Sequence, residues 1–177
     1  MIVLLPQICY LTMSKNAFPD AIELIDALFD YAVTTSANDF WRIDIGQVSE
    51  DLAQSIHQIT GLNILDYTIS IDSSGVRHIL NKHGIAENEV SRGQLSVQKK
   101  DLRYVFHLLE TPDLMTHTEK SRLGHPRILV EKAIKDKYYF ALWEIRTVQS
   151  LQKLRKKKHR LILHTFYMRK ITEKPPR

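Results

Sequence analysis

Chemistry-bearing side chains concentrate where the chain reads Val76-Arg77-His78-Ile79-Leu80-Asn81-Lys82-His83-Gly84. Two histidines, a lysine and an arginine share barely two turns of predicted helix. A hydrophobic core has little use for that mixture, whereas a site that holds phosphate and moves protons needs it. Histidine populates both protonation states near neutrality, its reference pKa being ~6.5. Arginine's planar fork can hold two phosphate oxygens at once. At about 100° per residue, Val76, Ile79, Leu80 and His83 fall on one stripe, His78 and Lys82 on a second, and Arg77 and Asn81 on a third. His83 therefore points inward beside the terminating Gly84, and His78 and Lys82 point outward. Two readings of His83 stand: a hydrogen-bonded packing residue or a proton-transfer group. His78 reads as a surface group unless its helix borders a cleft.

The flanking elements must position this helix. Phe18-Pro19-Asp20 opens a first helix to about Val33, with Ile22, Ile25, Leu28, Phe29 and Ala32 at helical spacing. Trp41 to Ile45 alternates as a short strand. Ser49 caps a second helix, Glu50 to Thr60, which Gly61 stops. Ile64 to Ile71 alternates again and leads into Asp72-Ser73-Ser74, the N-cap cluster of the histidine helix. Residues 85–93 read as a polar loop, Lys99 to Glu110 as a fourth helix ended by Pro112, and Thr116 to His125 as a polar, mobile stretch. The period then changes to two, giving strands Arg127 to Ile134, Tyr138 to Gln149 and Leu161 to Lys170. The predicted class is α+β: N-terminal helices followed by an antiparallel meander sheet.

Strand alternation assigns faces. Ile128, Val130, Tyr139, Ala141, Trp143, Ile145, Ile162, Phe166 and Met168 form a core face. Leu129, Glu131, Leu142, Glu144, Arg146, Leu163, Thr165, Tyr167 and Arg169 form the opposite face. The polar groups on that second face are either a solvated cross-strand ladder or half of a site whose other half is the helix.

Charge narrows the partner class. The chain of 177 residues carries a net charge of +5, but residues 1–75 hold 2 Lys/Arg against 10 Asp/Glu, and residues 76–177 hold 23 against 10. A basic half of that size is expected to attract a polyanion, most simply nucleic acid. Mean hydropathy is −0.24 and hydrophobic content 44%, as in soluble globular proteins. The single cysteine, Cys9, excludes an internal disulfide framework and multi-cysteine metal sites and fits a reducing, cytoplasmic compartment. No apolar run approaches the ~20 residues of a membrane span, and no secretory signal is expected. Met13 offers a second start, which would make residues 1–12 an upstream extension. His78 and His83 are five apart rather than at ligand spacing, and carboxylates do not cluster in the basic half, so neither metal nor cofactor is expected.

Three blocks together resemble one nuclease group. The first is Ile45-Gly46-Gln47-Val48 with Leu52-Ala53, Ile56 and Thr60-Gly61-Leu62-Asn63. The second is Val76 to Gly84, followed by Arg92-Gly93-Gln94 and Pro112-Asp113. The third is Tyr138-Tyr139-Phe140 with Glu144-Ile145-Arg146-Thr147, then Thr165-Phe166-Tyr167 and Arg169-Lys170. The resemblance is to the phage-barnase-EndoU-colicin-RelE-like nucleases, in particular their third type, and covers about Asp39 to Lys170. It implies a ribonuclease fold of helix plus four-stranded sheet, metal-independent chemistry, and use as a toxin or phage-carried protein. The chain departs from the family pattern in its last block, where Met168 and Arg169 precede Lys170, and in its long basic loop. On this reading residues 1–38 are an N-terminal extension and helix, 39–172 the nuclease-like domain, and 173–177 a disordered tail.

Metal-free RNA cleavage needs a base for the ribose 2′-OH, an acid for the leaving 5′-oxygen, and cations for the phosphorane. His83 is the first choice for acid or base and His78 the reserve. Glu144 either partners it or orients Arg146. Arg146 and Lys82 stabilise phosphate, and Thr165 and Tyr167 position phosphate or ribose. Arg77, Arg169, Lys170 and the basic run Lys153 to Arg160, with Arg155, Lys156, Lys157 and Lys158 at its centre, complete the expected RNA contacts. Tyr138 or Trp143 is a candidate for stacking on a base. RNA is the expected partner, with a small acidic antitoxin or immunity protein as a second. The competing functions are a catalytically inactive nucleic-acid-binding module on the same scaffold and a structural protein that docks a partner through residues 1–38.

Overall fold

The computed structural model describes residues 18–148 and 158–171. The alternative starts, the basic residues Lys153 to Lys157 and the tail after Thr172 lie outside the described residues. The first helix, α1, is Ala21–Thr34, and it buries Ile25, Leu28 and Ala32. Strand β1 (Arg42–Gln47) follows, then α2 (Glu50–Thr60). Ser49 caps α2 by accepting from the Leu52 amide at 3.2 Å, and Gly61 closes it at φ 73°, a conformation that favours glycine. Strand β2 (Thr68–Asp72) runs directly into α3 (Ser73–His83), where Asp72 Oδ1 accepts from the Gly75 amide at 2.8 Å.

The stretch after α3 is more structured than its polarity predicts. Residues 86–90 form a short helix, α4 (Ala86–Val90). The expected single helix from Lys99 to Glu110 is two, α5 (Lys99–Leu102) and α6 (Val105–Glu110). Gln98 and Asp101 form a reciprocal capping box at the start of α5. Arg103, at the break, ion-pairs with Asp26 of α1 at 2.5 Å. The expected mobile stretch begins as an edge strand, β3 (Leu114–Thr118), paired antiparallel with β4 (Arg127–Ile134). Strands β5 (Lys137–Val148) and β6 (Lys158–Lys170) complete the fold.

The sheet has six strands in the order β1-β2-β6-β5-β4-β3. It corrects two expectations, a four-stranded sheet and helices followed by a purely antiparallel meander: β1 and β2 extend the four-stranded meander to six. The meander β3-β4-β5-β6 is present, but it leaves one edge of β6 open. Strand β2 pairs there in parallel, Thr68 to Ser70 against Arg160 to Ile162. Ile69 and Ile71 of β2 are then fully buried, which an edge outside the sheet could not achieve. Parallel pairing needs a long crossover, here everything from α3 to β5.

Strand β2 covers only the start of β6, and α3 runs along the rest. Gly75 sits where a Cβ would stand 3.0 Å from the Leu163 carbonyl oxygen, so the first turn of α3 lies on the β6 backbone. Further on, His78 meets His164 and His83 meets Tyr167. The helix thus points its titratable residues at successive positions of one strand.

A bulge in β6 decides which residues face them. Leu142 pairs with Thr165, but Trp143 pairs with Leu163, so His164 is the extra residue. The bulge reverses the alternation beyond it. Leu161 and Leu163 join Trp143 and Ile145 in the core, whereas Ile162 lies on the side of Glu144. The predicted places of Ile162 and Leu163 are thereby exchanged. The core lies between the Trp143 face and the helices, with Trp143, Phe166, Leu28, Ile79 and Leu108 fully buried. Helix α1 shares this core. Among the described residues no helix is long and apolar enough to cross a membrane.

Candidate active site

On the opposite face the side chains are mostly half-buried, and one carboxylate is enclosed among them. Glu144 of β5 is only 2% exposed. Arg127, directly across on β4, donates to Oε1 through Nε at 2.9 Å and Nη2 at 2.6 Å. Arg146 donates to Oε2 through Nε at 2.7 Å and also through Nη2. Burial pushes the Glu144 carboxyl up, but the bonds from the two arginines outweigh it and hold the group below its ordinary range. Glu144 is therefore ionised at neutral pH. Its place is to hold two guanidinium groups side by side. Without it they would repel each other in a partly desolvated setting.

His164 completes the cluster from the bulge. Its Nδ1 is 3.4 Å from Glu144 Oε1, and Arg127 Nη2 is 3.2 Å from its Nε2. Arginine can only donate, so Nε2 accepts and the ring proton sits on Nδ1, facing the carboxylate. His164 is neutral in this arrangement. Burial lowers its pKa, and Arg127, His78 and Arg146 lower it further against the opposing pull of Glu144. His78 stacks on it from α3, ring centroids 5.4 Å apart and planes 29° apart. Burial, then Lys82, His83 and Arg127, lower the His78 pKa as well. Two imidazoles that take and give protons near or below pH 6.5 thus sit against two arginines.

The sequence-predicted residues divide between this cluster and other places. His78, Glu144 and Arg146 are brought together, with Lys82 exposed one turn from His78. His83 is elsewhere: its Nδ1 is 3.0 Å from Oε2 of Glu89, a fully buried carboxylate that Arg92 also holds at 3.2 Å. Its ring lies 5.4 Å from that of Tyr167. Tyr167 stacks on Phe140 at 4.6 Å with nearly parallel planes, and burial raises its phenol pKa. Thr165 Oγ1 is buried without a hydrogen-bond partner among the described residues. Arg77 ties α1 to α3, donating to the Ala32 and Asp39 carbonyls and the Thr35 hydroxyl at 3.2, 2.9 and 2.7 Å. No fork of it is left for phosphate. Arg169 lies over the Phe140 ring at 5.5 Å, and Lys170 is exposed at the strand end. Lys158 begins β6, and Arg155, Lys156 and Lys157 lie outside the described residues. Trp143 is core, while Tyr138 stands on the half-buried face beside Phe140.

Comparison with known proteins fits this arrangement. A family model described as phage-Barnase-EndoU-ColicinE5/D-RelE like nuclease3 matches residues 46–174. The chain belongs to that nuclease family. No curated protein and no solved structure matches it. The family match takes in α3 and all the paired strands β2 to β6. His78, Arg127, Glu144, Arg146 and His164 therefore all lie inside the nuclease region, whereas α1 lies outside it although it packs into the same core.

Two members of the cluster, Arg127 and His164, are not singled out by the sequence: alternation puts Arg127 on the polar face without marking it, and misplaces His164. The signal for His164 was a gap: a histidine between Ile162 and Phe166 on what should be a core stripe. A polar residue in phase with an apolar run is what a bulge leaves in sequence. Arg127 carries no such mark, because an arginine at the start of a strand is common. Among the described residues, no group of three or more His, Cys, Asp or Glu is placed to hold a metal ion.

Proposed function

We propose that the protein is an endoribonuclease that cleaves RNA by attack of a ribose 2′-oxygen on the adjacent phosphate, using side chains rather than a metal. His78 and His164 divide the proton steps, with Arg127 turning from His164 Nε2 to the phosphate when RNA binds so that this nitrogen can reach the substrate. One imidazole takes the 2′-OH proton as the O2′–P bond forms, and the other gives a proton to O5′ as the P–O5′ bond breaks. The products are a 2′,3′-cyclic phosphate and a 5′-hydroxyl. Arg127 and Arg146 bind the phosphorane oxygens, where charge accumulates, and Lys82 adds a third cation at the helix edge. Glu144 is a positioning residue that holds both arginines and His164. The observation that carries this reading is the stacked His78–His164 pair beside two arginines on one buried carboxylate, within a nuclease family.

His83, the first choice from sequence, has a different place in this proposal, as part of the clasp to Glu89. Incubation of the purified protein with total RNA in EDTA is the direct test. Chelator-resistant cleavage yielding cyclic phosphate ends, lost in His78→Ala and in His164→Ala, is expected. Intact RNA with tight binding would instead support the inactive binding module, and products without cyclic or 3′-phosphate ends would exclude the mechanism.

The same reading makes the biological setting a toxin of a toxin–antitoxin, effector or phage system, acting on RNA in the cytoplasm of its own or a target cell. The family description, which names phage and colicins, supports it. An acidic antitoxin or immunity protein would neutralise it by covering Arg127 and Arg146. Co-purification of such a partner with the intact chain, and loss of RNA cleavage in the complex, is the check.

A further inference from the structure

A second cross-strand row on the same face has features that cleavage chemistry does not use. Glu131 of β4 pairs with Phe140 of β5, and Phe140 pairs with Tyr167 of β6, so the three stand in line across the sheet. All three are half-buried. Phe140 and Tyr167 are stacked, with Tyr138 5.3 Å from Phe140 and Arg169 above both rings. Glu131 differs from the other carboxylates of this sheet face. Glu144 is held by two arginines, whereas the Glu131 carboxylate makes no hydrogen bond or ion pair among the described residues. A bare carboxylate on a face that is to bind a polyanion repels it, unless it recognises something other than phosphate.

We infer that Glu131, Phe140 and Tyr167 form a base-binding subsite that selects guanine in single-stranded RNA; this rests on the ribonuclease reading above. The aromatic rings supply stacking, which every base accepts. Discrimination falls to the carboxylate, which has acceptors only. Guanine alone among the four bases presents two neighbouring N–H donors, N1–H and N2–H, to match two carboxylate oxygens. Adenine and cytosine present one amino group, and uracil flanks its single N–H with carbonyls that repel the anion. The row stands four residues along β5 from Glu144, about 13 Å at the rise of a strand. An extended strand covers that distance within a few nucleotides. Leu129 and Leu142 floor the face between the two rows.

The test separates binding from catalysis. Affinities of the intact protein for guanosine, adenosine, cytidine and uridine 3′-monophosphates are measured by calorimetry, alongside sequencing of the ends made from a random-sequence RNA. The guanine nucleotide should bind about tenfold to a hundredfold more tightly than the others. Glu131→Gln should remove that preference without changing the melting temperature, and Phe140→Leu should weaken all four. Equal affinities, no measurable binding, or a preference that survives in Glu131→Gln would each overturn the subsite. A guanine preference without RNA cleavage would leave the subsite standing and remove the ribonuclease reading. Cleavage without base preference would do the reverse.

Discussion

His78 and His83 sit five residues apart on one helix and meet the same strand, yet they occupy opposite kinds of environment. His83 is bound to a fully buried carboxylate, Glu89, which itself belongs to the short segment after the helix. Its hydrogen bond fixes the loop that returns Leu95 to the edge of β6, where the Leu95 amide donates to the Met168 carbonyl at 2.9 Å. Among the described residues, none of the groups that act on His78 is a carboxylate. His78 rests on a second imidazole, and the nearest fixed charges are cations. Under the proposed function the His83–Glu89 clasp serves the fold, and the His78–His164 pair, with lowered pKa values beside two arginines, serves proton transfer. Inward and outward on a helical wheel do not distinguish these roles. The outward residue reaches the Glu144 cluster because the helix lies against the polar edge of a strand.

The largest effect should come from breaking the imidazole pair. His164→Ala and His78→Ala are each expected to lower RNA cleavage about 10²–10⁴-fold, the usual contribution of a proton-transfer group. The double variant should fall little further, since the two act as a unit. Single-turnover rates on a short oligonucleotide under saturating protein measure this. Retention of most activity in either single variant would return His83 to candidacy. The arginines come next. Arg127→Ala should reduce the rate about 10²–10³-fold and also release His164 Nε2, so that an Arg127→Lys variant recovers only part of the loss.

The pH profile sharpens the same contrast by a smaller margin. Both His78 and His164 have pKa values displaced downward from 6.5, chiefly by burial and then by neighbouring cations. The working form needs one imidazole protonated and one neutral. The bell for kcat/KM should therefore peak below about pH 6.5 and decline toward neutrality. Bound RNA brings phosphate to the pair and favours the protonated forms, so the bell for kcat should lie at higher pH than that for kcat/KM. Coincident bells centred above pH 7 would argue against the pair. Glu144 is held below its ordinary carboxylate range by the two arginines, so the limb on the neutral side does not belong to it.

Most of the elements were legible in the sequence because their signals are local. Helix α2 has its Ser49 cap and Gly61 stop, α3 has Asp72, and β4 to β6 alternate clearly. The sheet order was not, because the pairing of β2 with β6 joins segments separated by some ninety residues of sequence. Nothing in either strand alone specifies that partner. The site was half legible for the same kind of reason. Glu144 and Arg146 follow from alternation within one strand, whereas Arg127 becomes a partner only through the register of β4 on β5, and His164 only through the bulge. Alternation assumes that no residue is inserted, and one insertion in β6 exchanged Ile162 with Leu163. Arg77 shows the converse. Its type and place suit phosphate, but the end of α1, remote in sequence, engages its guanidinium.

The smallest effect on activity should come from His83, and it discriminates most directly between the two histidines. His83→Ala removes one of the partners of Glu89, leaving a fully buried carboxylate with Arg92, whose side chain is half exposed. Leaving a buried group partly unsatisfied costs about 1–3 kcal/mol. For a chain of this size that lowers the melting temperature by about 2–4 °C per kcal/mol. Cleavage measured well below the transition should remain within about threefold of wild type, because the side-chain contacts of His83 among the described residues are with Glu89 and Tyr167 and its influence on His78 is secondary to burial. His83→Gln, which can still donate to Glu89, should recover part of the stability and change activity no further. If His83→Ala instead abolishes cleavage while the melting temperature is unchanged, the two histidines have been assigned the wrong way round.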